Sequence, residues 1–334
     1  MRPMARRGRH GRSLLGCAAA GAVLLAAVWG AGPASAAAPD GTASAAPATS
    51  GGAGASPGAS GAPRPGDVLT APTLVAHTRY GDVGYREIGQ GSPLLLVMGH
   101  GASMDAWAPG FVDALAARHT VIVFDNAGIG RTSELSAPLT ISAMADQTSA
   151  LIRTLRLHRP AVLGWSLGGM VAQALAVRHP GQVSRLVLAA TQAGTGRSLP
   201  IPPAAEAALN SPDPAVVLSV LFPADQLTAA RAYAQSILRY PGYYGASSAV
   251  KSAQTSAAAR WMAGQDPAGR LLRRIHVPTL VADGEQDALD PASNDVLLAQ
   301  GLRCAHLVLY PDAGHAFLFQ DTASFVPTVE RFLS

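Results

Sequence analysis

Cysteine is almost missing from this chain. Cys17 and Cys304 are the only two in 334 residues, and Cys17 falls in a basic and apolar leader. A domain left with Cys304 alone has no internal disulfide, so its stability must come from a core. Lysine is scarcer still: Lys251 is the only one, and the other basic residues are arginines. Acidic residues do not occur before Asp40, whereas Arg2, Arg6, Arg7, Arg9 and Arg12 crowd the start. Without residues 1–36 the chain carries 20 basic and 21 acidic residues, a net charge of −1. The mature part therefore lacks the basic surface that a nucleic-acid partner requires. Aromatic residues make up 5% and charged residues 14%, against 49% hydrophobic. That is ample for a large core, and α/β folds of more than 200 residues often form one domain.

What is present falls into zones. Residues 1–12 are basic, 13–31 are apolar and uncharged, and Ala34-Ser35-Ala36 offers small residues for cleavage. This three-part pattern reads as a secretory signal peptide over 1–36, with an uncleaved membrane anchor as the alternative. Once it is cleaved, no membrane association is expected. Residues 37–66 hold only Ala, Gly, Ser, Thr and Pro apart from Asp40 and Arg64, the composition of a disordered linker. From Thr78 to Ile88 the pattern predicts a β-hairpin with turns at Gly81-Asp82 and Gly89-Gln90-Gly91.

Continuous apolar runs follow at 94–98, 121–124, 161–163, 186–189, 279–282 and 306–309. Such runs mark strands buried on both faces, and helical spacing between them predicts a doubly wound, mainly parallel sheet. The alternation stops over 194–270, where helix signals at Val216–Leu221, 227–238 and 246–262 predict a helical insertion. The core is thus read as 67–193 plus 271–334.

The chemistry gathers at strand ends. Gly164-Trp165-Ser166-Leu167-Gly168 has the G-x-S-x-G pattern, and so does Gly54-Ala55-Ser56-Pro57-Gly58 in the linker. Only Ser166 lies between a predicted strand and a predicted helix, where a tight turn exposes the hydroxyl at the positive end of a helix. A serine needs a base. His315, in the loop after the last strand, fits better than the other histidines, which sit at helix ends or strand starts. An orienting carboxylate is available at Asp283, Glu285, Asp287 or Asp290, all after strand 279–282. An oxyanion would meet the backbone N–H of Leu167 and, from the loop after 94–98, that of Ala102. His100 is read as bracing that loop.

With His100-Gly101, the Asp125–Ser133 loop, the elbow at Ser166, Gly284-Glu285-Gln286-Asp287 and Gly314-His315 in this order, residues 75–334 resemble the α/β-hydrolase fold superfamily. The resemblance implies Ser166, Asp287 and His315 as a catalytic triad, since the family acid stands three residues after that glycine. It implies that 194–270 is a cap shaping the pocket, and that the Asp125 loop is structural. Gly99 departs from the family, where many relatives carry another apolar residue. The cap aromatics Phe222, Tyr233, Tyr240, Tyr243, Tyr244 and Trp261 are read mainly as packing, with two facing substrate. The expected function is hydrolysis of small esters, lactones or similar carbonyl compounds through an acyl-enzyme. Perhydrolysis or C–C cleavage by the same triad is an alternative, and a non-catalytic binding protein a further one. A small-molecule substrate is expected, with no cofactor and no metal. Oligomeric state is not legible.

Overall fold

The apolar runs form the middle of one sheet. The computed structural model describes residues 67–334, so the signal peptide expected at 1–36 and the linker expected at 37–66 lie outside the described residues. Eight strands appear: β1 (Leu74–Thr78), β2 (Gly81–Ile88), β3 (Ser92–Val97), β4 (His119–Phe124), β5 (Ala161–Trp165), β6 (Leu186–Ala189), β7 (Thr279–Gly284) and β8 (Ala305–Tyr310). Their order is β1-β2-β4-β3-β5-β6-β7-β8. β1 and β2 run antiparallel at one edge, and every pairing from β4 to β8 is parallel.

The hairpin differs from expectation. It reverses at Arg79-Tyr80, and Gly81 and Asp82 pair with Thr78 and His77 inside the ladder. The Thr78 hydroxyl explains the shift: it accepts from the Tyr80 N–H at 3.0 Å and donates to the Gly81 carbonyl at 2.7 Å. That closes the turn two residues earlier than the Gly-Asp pair suggested.

Side chains of the central strands alternate between two cores. Leu94 and Leu96 of β3 join one, Leu95 and Val97 the other, as the period of two requires. Helices α1 (Pro109–Ala116) and α2 (Ile141–Thr154) cover opposite faces, the first through Phe111 and Leu115, the second through Met144 and Leu151. α3 (Leu167–Arg178) lies beside α2.

Between β6 and β7 the chain forms α4 (Pro203–Leu209), α5 (Pro214–Leu221), α6 (Leu227–Ile237) and α7 (Ser248–Met262), with no strand. α5 starts as its sequence suggests: Asp213 caps the Ala215 N–H at 2.9 Å and Pro214 takes the first helical position. α4 has no counterpart in the sequence reading. The chain closes with α8 (Ala292–Gly301), α9 (Phe317–Gln320) and α10 (Thr322–Leu333). Among the described residues no helix is long and apolar enough to cross a membrane.

Candidate active site

β5 delivers Ser166 into a sharp turn. Ser166 has φ 56° and ψ −123° and is the N-cap of α3. A side chain in that region costs on the order of 1–3 kcal/mol, so the surroundings must hold it. They do so through the Ser166 N–H to the Ala189 carbonyl (2.8 Å) and through three donors on the Ser166 carbonyl, the Gly169 N–H (2.8 Å), the Met170 N–H (3.4 Å) and the Thr191 hydroxyl (2.7 Å). Two glycines let the backbones meet: a Cβ on Gly168 would lie 2.0 Å from the Val97 carbonyl oxygen, and one on Gly164 2.3 Å from that of Gly168. Gly99, the departure noted in the sequence, lies against the nucleophile candidate. A Cβ there would come within 3.3 Å of Ser166 Cβ.

His315 follows β8 and is 4% exposed. Its Nδ1 meets Asp287 Oδ2 at 2.6 Å, and its carbonyl accepts from Trp165 Nε1 at 2.9 Å. The second oxygen of Asp287 accepts the N–H groups of Leu289 (2.6 Å) and Asp290 (2.9 Å). Of the four carboxylates open to sequence reasoning, Asp287 is therefore the one on the histidine. Glu285 is exposed. Asp283 and Asp290 face another cluster.

That cluster joins Asp283, Asp290 and Asp295, whose carboxylate oxygens approach within 4.8 Å of one another, all buried. Among the described residues it is the group whose donors converge enough to hold a metal ion. Burial and the neighbouring carboxylates push Asp283 and Asp295 well up. Asp290 is pushed up to about 7, first by burial and then by the Asp287 charge. Asp283 Oδ1 accepts the Gly284 N–H at 2.7 Å, while Asp283 Oδ2 and both Asp295 carboxylate oxygens are buried without a hydrogen-bond partner.

The folded protein thus holds a proton on Asp290 that the unfolded chain releases near pH 4, and stability is lost as pH rises from about 4 to about 7. Asp290→Asn keeps an acceptor for Asn294 Nδ2, which lies 2.8 Å from Asp290 Oδ1. The variant should melt about 5 °C above the parent at pH 8, with a clearly smaller difference at pH 5. An equal difference at both pH values in a melting series would refute this account.

The loop after β3 is clamped by the helical segment. The His100 ring Nε2 lies 3.0 Å from the Lys251 carbonyl and 2.9 Å from the Thr255 hydroxyl. Gly101 N–H donates to Gln254 Oε1 (2.7 Å), Ala246 N–H to the Gly101 carbonyl (3.1 Å), and the Ser103 hydroxyl to the Tyr244 carbonyl (2.6 Å). Burial lowers the His100 pKa, with the Lys251 charge adding to the effect, so a neutral ring braces the loop. Asp125 anchors the same loop from β4, accepting the Met104 N–H at 2.8 Å and the Tyr244 hydroxyl at 2.6 Å, and burial raises it to about 6.

A cavity of ≈ 140 Å³ opens above this loop, with Ser166, His315 and Ala102 on its wall. An apolar cavity of about this size accommodates a benzene-sized guest. Leu167 does not line it with its side chain, but its backbone opens α3 directly after Ser166, where first-turn N–H groups have no partner within the helix. Of the six aromatics in the helical segment, Tyr233 and Tyr243 line the cavity. Sequence reasoning missed Trp165 as the support of His315, and Gln254 and Lys251 as partners of the loop. Trp165 stands inside the G-x-S-x-G motif, and Lys251 had one signal, its uniqueness.

Comparison with known proteins bears on the family and the fold. The alpha/beta hydrolase fold family matches residues 92–322. The chain is 32% identical over 254 residues to a protein of Caulobacter sp. (strain K31) named "Putative carbamate hydrolase RutD", covering 72% of this chain and 90% of that one. It is 29% identical over 257 residues to the 2-hydroxymuconate semialdehyde hydrolase of Pseudomonas sp. (strain CF600), covering 74% and 88%. An alpha/beta hydrolase fold protein from Chitinophaga pinensis superimposes with a TM-score of 0.70 at 24% identity, covering 80% of this chain and 99% of that structure. The chain belongs to the alpha/beta hydrolase fold family.

Proposed function

We propose that this protein is an exported serine hydrolase that cleaves small esters, lactones or similar carbonyl compounds. One observation carries the reading. Ser166 stands at a positive-φ turn at the head of a helix and shares a cavity wall with His315, whose Nδ1 is held by Asp287. In the proposed cycle His315 Nε2 takes the Ser166 proton as Oγ attacks the carbonyl carbon. The Leu167 and Ala102 N–H groups receive the oxyanion. The imidazolium returns the proton to the leaving oxygen, and water, activated by the same ring, releases the acid and frees Ser166. Asp287 keeps the Nδ1 proton in place and stabilises the imidazolium. Its two backbone donors fix the carboxylate's orientation toward the ring. The carbamate hydrolase name of one relative is consistent with attack at a carbonyl carbon.

The test is turnover of p-nitrophenyl acetate, butyrate and octanoate by the chain without residues 1–36, beside Ser166→Ala. The cavity size favours the short acyl groups, and the variant should lose at least about 10³-fold. Equal turnover by parent and variant would remove Ser166 from the mechanism. No turnover by either would redirect the test to C–C substrates of the kind named for the Pseudomonas relative, and to binding without turnover. Expressed with its leader, the protein should appear in the medium beginning at Ala37. Retention with an intact start would remove export from the proposal.

A further inference from the structure

One cationic side chain and no carboxylate line the cavity. Its wall, apart from Ser166 and the two histidines, is mainly apolar: Leu218, Leu221 and Ile237 from the helical segment, Trp165 from the elbow. Tyr233 spends its hydroxyl on the Ala106 carbonyl at 3.0 Å. Into this wall α7 places Lys251, the only lysine of the chain. Its aliphatic stem packs on Gly101: a Cβ at Gly101 would meet Lys251 Cγ and Cε at 3.2 Å. Gly101 directly precedes Ala102, so the stem lies over the loop proposed to receive the oxyanion. Lys251 is only partly buried, and none of the ion pairs among the described residues includes it.

An ammonium in a mainly apolar cavity attracts an anion more strongly than it would in bulk water. It does so without an internal carboxylate competing for it. We infer that Lys251 selects substrates bearing a carboxylate close to the scissile carbonyl, so that the natural substrate is a small acidic ester or lactone. This inference rests on the hydrolase reading for its reaction and on the cavity alone for its anion. Lys251 acts here as a specificity residue. It binds the charge, while the proton transfers stay with His315.

The test compares matched pairs in a pH-stat. Monomethyl adipate against methyl adipamate places the charge on the acyl side, and acetoxyacetate against acetoxyacetamide places it on the alcohol side. The parent should prefer the anion by at least about tenfold in kcat/KM for one pair. Lys251→Met, which keeps length and helix propensity, should cut that ratio at least tenfold, with the change in KM. Lys251→Arg should retain part of the preference, and Lys251→Glu should reverse it. A parent ratio near one, or a ratio that survives Lys251→Met, overturns the inference.

A second readout separates it from the hydrolase reading. Adipate, but not adipamide, should raise the melting temperature of the parent and not of Lys251→Met. If no ester is turned over but this difference holds, the anion site stands and the hydrolase reading falls. If the difference is absent, the anion site falls whatever the turnover.

Discussion

Asp287→Asn is expected to lower kcat by about 10³–10⁴-fold while leaving the protein folded. The geometry gives the reason. Asp287 Oδ1 is pinned by two backbone donors, Leu289 at 2.6 Å and Asp290 at 2.9 Å. An asparagine would keep its carbonyl oxygen there, since turning the amide would set its NH₂ against two N–H groups. Its NH₂ is then forced toward His315 Nδ1, where the carboxylate Oδ2 stood at 2.6 Å. A donor facing Nδ1 makes that nitrogen an acceptor and moves the ring proton to Nε2, the atom that must accept from Ser166. The base would be present, in place and in the wrong tautomer. The same change removes the charge that helps raise Asp290, so the stability loss between about pH 4 and 7 should move to lower pH in this variant. Steady-state kinetics on p-nitrophenyl acetate with a parallel melt checks both parts. A loss below tenfold would mean that His315 does not depend on Asp287 for its tautomer.

Which parts were open to sequence reasoning follows from the range of the interactions that set them. The buried strands announce themselves because five consecutive apolar residues such as 94–98 can be covered only from both sides. Ser166 stood apart from the decoy at Ser56 by its place between a strand and a helix, which is local information. The choice among Asp283, Glu285, Asp287 and Asp290 was not local. All four follow one strand, and what separates them is a contact with a residue 28 positions away. The clamp on the Gly101 loop was less accessible still, since Gln254 and Thr255 lie 153 and 155 positions from their partners. α4 (Pro203–Leu209) was missed because it is mostly alanine, with Ala205 its one buried residue, and a helix without an apolar stripe leaves no periodic signal. The hairpin turn was misplaced because a threonine hydroxyl outweighed the usual Gly-Asp signal.

Gly168→Ala should destabilise the fold by more than about 3 kcal/mol and abolish activity, and the contrast with Gly110→Ala shows why. A methyl on Gly168 would sit 2.0 Å from the Val97 carbonyl oxygen and 2.8 Å from that of Met98. Both belong to the backbone at the end of β3, which is held in register on two sides by β4 and β5, so neither can step aside. Relief requires α3 to lift off β3, which would carry Ser166 and the Leu167 N–H away from the Gly99–Ala102 loop. Overpacking alone typically costs about 1–3 kcal/mol, and here a bonded backbone must move, so the loss should exceed that range. Gly110 has the same composition change and the opposite surroundings. It lies in α1, and a Cβ there would meet nothing within 4 Å. Alanine at that site should add up to about 1 kcal/mol by reducing the freedom of the unfolded chain. Denaturant melts of the two variants should therefore diverge in sign. A Gly168→Ala protein that folds with unchanged midpoint would mean that the elbow is looser than these contacts require. Position 168 would then tolerate a side chain, and the strained turn at Ser166 would need another support.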